Sequence, residues 1–171
     1  MTSESLLALH KDMNQAALKP VPTDDLPIDA SAAATGRPDT TLALTRGVAR
    51  LMTQMGLAVI AEFKLPNGRR ADLAGLGPKG ELVIVEVKSC RADLAVDTKW
   101  PEYRDYCDRF YFAVNEVFPL EMVPEDEGLI VADAFGGAIL REGELRKLSG
   151  ARRKAVTLRF ARQAAFGCGG F

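Results

Sequence analysis

The chain has 171 residues, 47% of them hydrophobic, which is enough for one domain with a buried core plus tails. Its formal net charge of −1 excludes attraction to nucleic acid through overall charge, so positive charge for any polyanion must be local. The three cysteines are widely spaced and form no C-x-x-C pair, which favours a reduced cytoplasmic protein over a disulfide framework or a zinc site. We find neither an apolar run long enough to span a membrane nor a secretory signal at the N-terminus.

The first 39 residues are predicted to be a flexible tail. Their segment KPVPTDDLPIDASAAATGRPD is rich in Pro, Ala and Asp and offers little to bury, although Leu6 to Leu18 is spaced for a short helix. We expect a globular domain over residues 40–166, with Asp39 or Thr40 as the N-cap of its first helix. The glycine-rich end, residues 167–171, is expected to be frayed.

The domain alternates between helical spacing and short apolar runs bounded by turn residues. In chain order we predict a helix over Thr41–Met55, strands over Leu57–Leu65, Arg69–Gly75 and Glu81–Lys88, a loop over Ser89–Lys99, a helix with Pro101 in its first turn, a strand over Arg109–Asn115, a hairpin of Leu129–Asp133 and Ala138–Leu140, and a helix over Arg152–Phe166. This order predicts an α/β protein with a mixed central sheet flanked by helices.

The third predicted strand, LVIVEVK, is apolar at its start and charged at its end. Because side chains alternate along a strand, Glu86 and Lys88 share one face. If the preceding turn is the three residues Pro78-Lys79-Gly80, the hairpin register places Asp72 opposite Glu86. A two-residue Lys79-Gly80 turn pairs Asp72 with Val87 instead. Glycine at the third turn position favours the first register, which brings two acids and a lysine together.

Two facing carboxylates repel each other unless a cation neutralises them. Magnesium is the natural cation, because it takes one or two carboxylates, keeps waters and recruits phosphate oxygens. Lys88 beside it can position or help deprotonate an attacking water and can stabilise charge on a phosphoryl group. The trio of Asp72, Glu86 and Lys88 is therefore suited to cutting phosphodiester bonds. His10, the only histidine, lies in the predicted tail, which argues against a Ser-His-Asp or Cys-His hydrolase.

Glu62 is a candidate for a further metal ligand, and its placement depends on the first hairpin turn. A two-residue Asn67-Gly68 turn puts Phe63 opposite Asp72 and turns Glu62 away. A three-residue Pro66-Asn67-Gly68 turn brings Glu62 to the site. The sequence leaves both alternatives open.

The spacing of Asp72 from Glu86-Val87-Lys88 resembles the signature of the PD-(D/E)XK nuclease superfamily, although Ala71 stands where the classical motif has proline. The element order resembles the restriction-endonuclease-like α-β-β-β-α-β core of that superfamily. A closer likeness joins GRRADL, EVKS and the long run DTKWPEYRDYCDRFYFAV, which together resemble the bacterial MmcB-like DNA-repair family. The resemblance covers about residues 40 to 160, and the long run is its most specific part.

The resemblance implies a DNA-repair nuclease that depends on Mg²⁺ or Mn²⁺. Asp72 and Glu86 would be metal ligands, helped by the backbone carbonyl of Val87, and Lys88 would be the catalytic lysine. Lys99 and Tyr103 follow the E-V-K motif where related proteins often carry further polar residues, which places them near the scissile phosphate. DNA is the implied partner.

Several basic residues are candidates for DNA contacts, each weighed against an ordinary surface or structural role. Arg69 and Arg70 follow a hairpin tip and could grip phosphate, as could Lys99. The densest basic cluster lies in the last helix and comprises Arg152, Arg153, Lys154, Arg159 and Arg162. Trp100 could stack on a base, but a core anchor for its helix is the favoured interpretation.

Two functions from different classes fit these observations. The first is a metal-dependent nuclease that hydrolyses DNA in repair. The second is a DNA-binding or adaptor module of the same fold that does not cut. A homodimer and a repair-protein partner are further options that the sequence leaves open.

Overall fold

The computed structural model describes residues 37–168. The predicted tail up to residue 36, with its Leu6–Leu18 helix and His10, and residues 169–171 lie outside this range. Within the described part, no helix combines the length and apolar character needed to cross a membrane.

The helices and strands follow the predicted order. They are α1 (Arg37–Gln54), β1 (Ala58–Lys64), β2 (Arg70–Leu76), β3 (Leu82–Lys88), α2 (Arg91–Ala95), β4 (Arg109–Val114), β5 (Gly128–Ala132), β6 (Gly137–Arg141) and α3 (Gly150–Cys168), with 3₁₀ helices at Trp100–Tyr106 and Leu120–Met122. Every predicted strand is confirmed. Helix α1 begins before the predicted cap at Asp39 or Thr40, and α2 occupies part of a segment predicted as loop.

The strands form one mixed sheet in the order β1-β2-β3-β4-β5-β6. Strands β1, β2 and β3 are an antiparallel meander, β3, β4 and β5 run parallel, and β6 is antiparallel to β5. This confirms the predicted α/β class with a mixed sheet. Because parallel strands end at the same edge, the carboxyl end of β3, with Glu86 and Lys88, lies beside the ends of β4 and β5.

Each face of the sheet has its own hydrophobic cluster. Helix α1 covers one face, and α3 and the 3₁₀ helix Trp100–Tyr106 cover the other. Ile84 of β3 packs on the second face and Val85 on the first, so alternation places Glu86 and Lys88 on the side of the 3₁₀ helix. The first cluster includes Leu44, Val48, Met52, Leu73, Val85 and Tyr111, and the second includes Phe63, Ile84, Tyr103, Phe112, Val156 and Phe160.

The segment WPEYRDY is a 3₁₀ helix, whereas a helix of unspecified type with Pro101 in its first turn was predicted. Trp100, Tyr103 and Tyr106 recur every three residues, and all three pack on the second cluster. A 3₁₀ helix has three residues per turn, so this spacing aligns the rings on one side. Trp100 stacks on Phe110 with ring centroids 5.8 Å apart, which confirms its role as a core anchor.

An ion pair joins α3 to Asp108, the residue that precedes β4. The guanidinium of Arg153 donates to both carboxylate oxygens of Asp108 at 2.7 and 2.6 Å and to the carbonyl of Gly80 at 2.5 Å. Asp108 is 3% exposed and also accepts the backbone N–H groups of Leu82 and Leu148. Burial raises the pKa of Asp108, but the bonds from Arg153 and the two amides outweigh it, so the net pKa is lowered.

Replacing Arg153 with methionine is expected to lower the free energy of unfolding by about 2 kcal/mol, because a buried carboxylate loses its charged partner but keeps its amide donors. Urea unfolding at neutral pH measures this loss. The matched control is Arg152→Met, since Arg152 is exposed and pairs with Asp105 at 3.3 Å. An exposed pair contributes about 1 kcal/mol or less. Equal losses in the two variants would contradict a structural role for Arg153.

Candidate functional site

The turn between β2 and β3 sets the register that joins the two strands at the site. Gly77 donates to the carbonyl of Glu81 at 2.9 Å, and Gly80 has a left-handed φ of 82°. The turn is therefore the three residues 78–80, as the favoured prediction required. From this turn the paired residues of β2 and β3 run to Leu73 and Val85. Continuing that register by one residue places Asp72 opposite Glu86.

The turn between β1 and β2 also has three residues. Leu65 donates to the carbonyl of Arg69 at 2.8 Å, and Gly68 has a φ of 83°. Phe63 pairs with Ala71 and Ala61 with Leu73, so Glu62 stands opposite Asp72. Of the two alternatives that the sequence left open, this is the one that brings Glu62 to the level of the site.

Glu62 adopts a backbone conformation that is costly for a residue with a side chain, with a φ of 55°. The side-chain amide of Gln163 in α3 makes two hydrogen bonds to the backbone of β1. It donates to the carbonyl of Glu62 at 3.0 Å and accepts from the N–H of Lys64 at 3.1 Å. The Glu62 carboxylate pairs with Arg70 at 2.5 Å. Its charge contributes to raising the pKa of Asp72, so it lies within electrostatic reach of the site.

Asp72 connects β2 to β3 through its side chain. Its Oδ2 accepts the backbone N–H of Val87 at 2.7 Å. Because the N–H and C=O of one strand residue point toward the same neighbouring strand, we expect the Val87 carbonyl to point to the side of Asp72. Burial raises the pKa of Asp72 and outweighs the Val87 hydrogen bond and the charge of Lys88, which lower it.

Glu86 is a buried carboxyl group that is only partly hydrogen-bonded. Its Oε1 accepts from Lys88 Nζ at 3.2 Å, whereas its Oε2 is buried with no partner among the described residues. Burial raises the pKa of Glu86 to about 7, and the charge of Asp72 acts in the same direction. Buried oxygen atoms nearly always have a partner, so the unpartnered Oε2 indicates the position of an additional group.

Lys88 lies between two carboxylates. Its Nζ is 3.2 Å from Glu86 Oε1 and 2.5 Å from Asp97 Oδ2, and the three side chains are 8 to 10% exposed. Burial lowers the pKa of Lys88, but the bonds and charges of Asp97 and Glu86 outweigh it, so the net pKa is raised. Lys88 is therefore a cation at neutral pH, which fits charge stabilisation better than proton abstraction.

Asp97 is a site residue to which we assigned no role from the sequence. Its Oδ1 accepts the backbone N–H of Lys99 at 2.9 Å, which fixes the carboxylate at the entry to the 3₁₀ helix. Burial raises the pKa of Asp97, but the hydrogen bond from Lys88 and those from the backbone outweigh it and lower the pKa overall. An aspartate just before a helical segment with proline in its first turn was the available signal, and it indicates a capping residue rather than a lysine partner.

The two candidates in the 3₁₀-helix region occupy different positions. Tyr103 is buried, and its hydroxyl donates to the backbone carbonyl of Arg70 at 3.1 Å. Burial raises the pKa of Tyr103, as do the charges of Glu86, Asp97 and Asp72, so the phenol lies near all three acids. Lys99 is exposed at the rim and lowers the pKa of Glu102 through its charge.

The arginines at the β1–β2 hairpin are both ion-paired. Arg69 makes a two-pronged pair with Glu102, at 3.0 and 2.8 Å, and Arg70 pairs with Glu62. The two pairs are largely exposed, and exposed pairs are weak, so a phosphate could replace the glutamate partners. Their position beside the site is compatible with the predicted DNA contact.

The first part of the α3 basic cluster, with Arg153, lies away from the carboxylates, whereas Arg159 contacts the backbone carbonyl of Lys64 near Glu62. Arg153 contacts Gly80 and Asp108 beside the first residue of β3, whereas Lys88 is the last residue of that strand. At about 3.3 Å per residue, the two ends of β3 are about 20 Å apart. Arg153 is also committed to a structural pair, which fits poorly with the predicted phosphate contact. Arg152 and Lys154 are exposed and stay candidates for a distant contact.

The donor set fits a divalent cation held by few protein ligands. Asp72, Glu86 and the Val87 carbonyl supply oxygen atoms only, which Mg²⁺ and Mn²⁺ prefer. The buried and unpartnered Oε2 of Glu86 is the observation that supports this fit. Within residues 37–168, no group of three or more His, Cys, Asp or Glu side chains is arranged to enclose a metal ion. The remaining coordination positions would therefore belong to water and phosphate, as is usual for Mg²⁺.

Comparison with known proteins identifies the family. The family model described as "DNA repair protein MmcB-like" matches residues 28–168. A solved structure, described as the SPO1766 protein of unknown function from Silicibacter pomeroyi, is 44% identical with a TM-score of 0.71, and the match covers 74% of this chain and 86% of that chain. No curated protein matches. On the match over most of its length, and in agreement with the resemblance seen in its sequence, this chain belongs to the MmcB-like DNA repair protein family.

Proposed function

We propose that this protein is a metal-dependent nuclease that hydrolyses DNA phosphodiester bonds in DNA repair. The centre would be of the PD-(D/E)XK type on a restriction-endonuclease-like core. One observation carries the proposal: Asp72, Glu86 and Lys88 meet at the end of β3, where Glu86 Oε2 is buried without a partner. Family membership supports the DNA-repair setting.

The residues divide into those that hold a cation and those that act on the phosphate. Asp72, Glu86 and the Val87 carbonyl would hold Mg²⁺ or Mn²⁺, with Glu62 close enough to add charge. A bound cation would supply Lewis-acid stabilisation of negative charge on the phosphate. Lys88, as a fixed ammonium, would donate hydrogen bonds to the attacking water or to a phosphate oxygen. Lys88 is already placed by its partners, so little reorganisation is needed when charge develops.

The surroundings of the centre fit a DNA backbone that approaches from the side of the β1–β2 hairpin. Tyr103 forms a buried wall, and its hydroxyl fixes the first residue of β2 through the Arg70 carbonyl. Lys99, Arg69 and Arg70 lie at the rim, where they would bind phosphates next to the scissile one. Because their charges are local, binding should weaken as salt increases.

Replacing Asp72 with asparagine is expected to abolish metal-dependent cleavage, because the amide keeps the shape but supplies no charge to a cation. The measurement is product formation from labelled DNA after EDTA treatment and readdition of Mg²⁺ or Mn²⁺. Asp126→Asn, at an exposed loop position, is the matched control. Cleavage that survives in the Asp72 variant, or that persists in EDTA, would contradict the proposed centre.

A non-cleaving DNA-binding or adaptor module is the second candidate. The observation that favours it is the pairing of Lys88 with two carboxylates, since a closed ion-pair cluster can also be structural. This candidate predicts salt-sensitive DNA binding without any metal-dependent product. It also predicts that DNA binding depends on Arg69 and Arg70 but not on added metal.

A further inference from the structure

We infer that Asp97 is a positioning residue that draws the Lys88 ammonium away from Glu86 and so keeps the Glu86 carboxylate available to a divalent cation. The inference rests on the proposed function, because it concerns the same centre. It assigns a role to a residue outside the carboxylate pair.

The first support is the position of Lys88 between its two partners. The distance from Nζ to Asp97 Oδ2 is 2.5 Å, whereas that to Glu86 Oε1 is 3.2 Å. The stronger contact is therefore to Asp97. Only one oxygen of Glu86 is engaged by Lys88, and the other has no partner among the described residues. Lys88 thus leaves half of the Glu86 carboxylate for another group.

The second support is the way in which Asp97 itself is fixed. Its Oδ1 accepts the Lys99 N–H at 2.9 Å, which leaves Oδ2 directed to Lys88. One carboxylate oxygen therefore binds the backbone at the end of the loop, and the other binds the ammonium of Lys88. The side chain is only 10% exposed, so solvent screens this contact little.

The third support is charge balance. When ionised, Asp72, Glu86 and Asp97 supply three negative charges against the single positive charge of Lys88. The excess of two negative charges equals the charge of one divalent cation. If Asp97 were neutral, Lys88 would pair with Glu86 as its one remaining carboxylate partner here. The lysine and the metal would then compete for the same group.

The test is a double-mutant cycle on metal affinity without DNA. Mn²⁺ binding at neutral pH is followed by electron paramagnetic resonance for the wild type, Asp97→Asn, Lys88→Met and the double variant. Asparagine keeps the acceptor for Lys99 N–H, so the loop should stay closed, and circular dichroism checks the fold. Glu102→Gln is the matched charge control, because Glu102 pairs with Arg69.

Asp97→Asn is expected to weaken Mn²⁺ binding by about tenfold or more, as for other residues that orient metal ligands. In the Lys88→Met background, where no ammonium competes, the same change should weaken binding by less than about threefold. Glu102→Gln should bind Mn²⁺ as the wild type does.

Equal affinities of Asp97→Asn and the wild type would overturn the positioning role and leave the proposed metal site standing. A loss of the same size with and without Lys88 would also overturn it, because Asp97 would not be acting through the lysine. Failure of the wild type to bind Mn²⁺ would contradict the proposed function, and the inference would fall with it.

Discussion

Replacing Lys88 with methionine is expected to reduce DNA cleavage by at least about 100-fold while the protein stays folded. Lys88 is the one cation bonded to Glu86 in the described structure, and its pKa is raised overall, so it carries charge at the pH of the assay. Methionine preserves the length and apolar stem of the side chain but donates no hydrogen bond. The measurement is the initial rate of product formation from labelled DNA with Mg²⁺.

The matched control for this change is Lys79→Met. Lys79 is exposed in the turn that precedes β3, about 20 Å from the carboxylates by the rise of the strand. We expect this variant to cleave at the wild-type rate. Similar rates for Lys88→Met and the wild type would show that the ammonium takes no part in the reaction.

Replacing Glu86 with glutamine is expected to stabilise the metal-free protein at pH 8 but not at pH 5. Burial raises the pKa of Glu86 from 4.5 to about 7. The folded state therefore binds the Glu86 proton more tightly than the unfolded state. The stability that this proton contributes is fully present below about pH 4.5 and is lost as the pH rises through about 7.

The expected difference is about 2 to 3 kcal/mol in the free energy of unfolding at pH 8, measured by urea unfolding in EDTA. Added Mg²⁺ should raise the stability of the wild type at pH 8, because it neutralises the buried charge, and should leave Glu86→Gln unchanged. Glu125→Gln, at an exposed position, is the control. The same difference in the free energy of unfolding between the wild type and Glu86→Gln at pH 5 and at pH 8 would contradict a desolvated carboxyl group at this position.

The sheet and the central trio could be predicted because short-range rules determine them. Gly80 stands at the third position of its turn and adopts a left-handed backbone conformation there, so the β2–β3 hairpin has one favoured register. That register places Asp72 opposite Glu86 without any knowledge of tertiary packing, whereas the sequence left the β1–β2 register open, and with it the level of Glu62. Alternation along β3 adds Lys88 to the same face as Glu86.

The contacts that were missed depend on packing between elements. Asp97 reaches Lys88 only because the loop after β3 folds back over the end of the strand. The conformation of a loop cannot be predicted from the spacing of apolar residues, as that of a helix or strand can. The pairing of Arg153 with Asp108 likewise depends on where α3 crosses the sheet. In the sequence, Arg153 looks the same as its neighbours Arg152 and Lys154, and only burial separates a structural arginine from a surface one.

The 3₁₀ helix is an intermediate case. The spacing of Trp100, Tyr103 and Tyr106 was visible in the sequence and matches three residues per turn. A period of three over so short a segment also fits one side of an α-helix, which is why the helix type was not predicted. The difference matters for the site, because the 3₁₀ helix carries Tyr103 and begins three residues after Asp97.

The most direct test of the proposed nuclease is a cleavage assay on labelled single-stranded, duplex, flap and fork DNA with Mg²⁺, Mn²⁺ or EDTA. Wild-type protein and Lys88→Met are purified identically and compared side by side. The proposal predicts product from the wild type with metal, no product in EDTA, and a rate at least about 100-fold lower for Lys88→Met. Equal product from both proteins, or no product from the wild type on any substrate while DNA binding is retained, would contradict it.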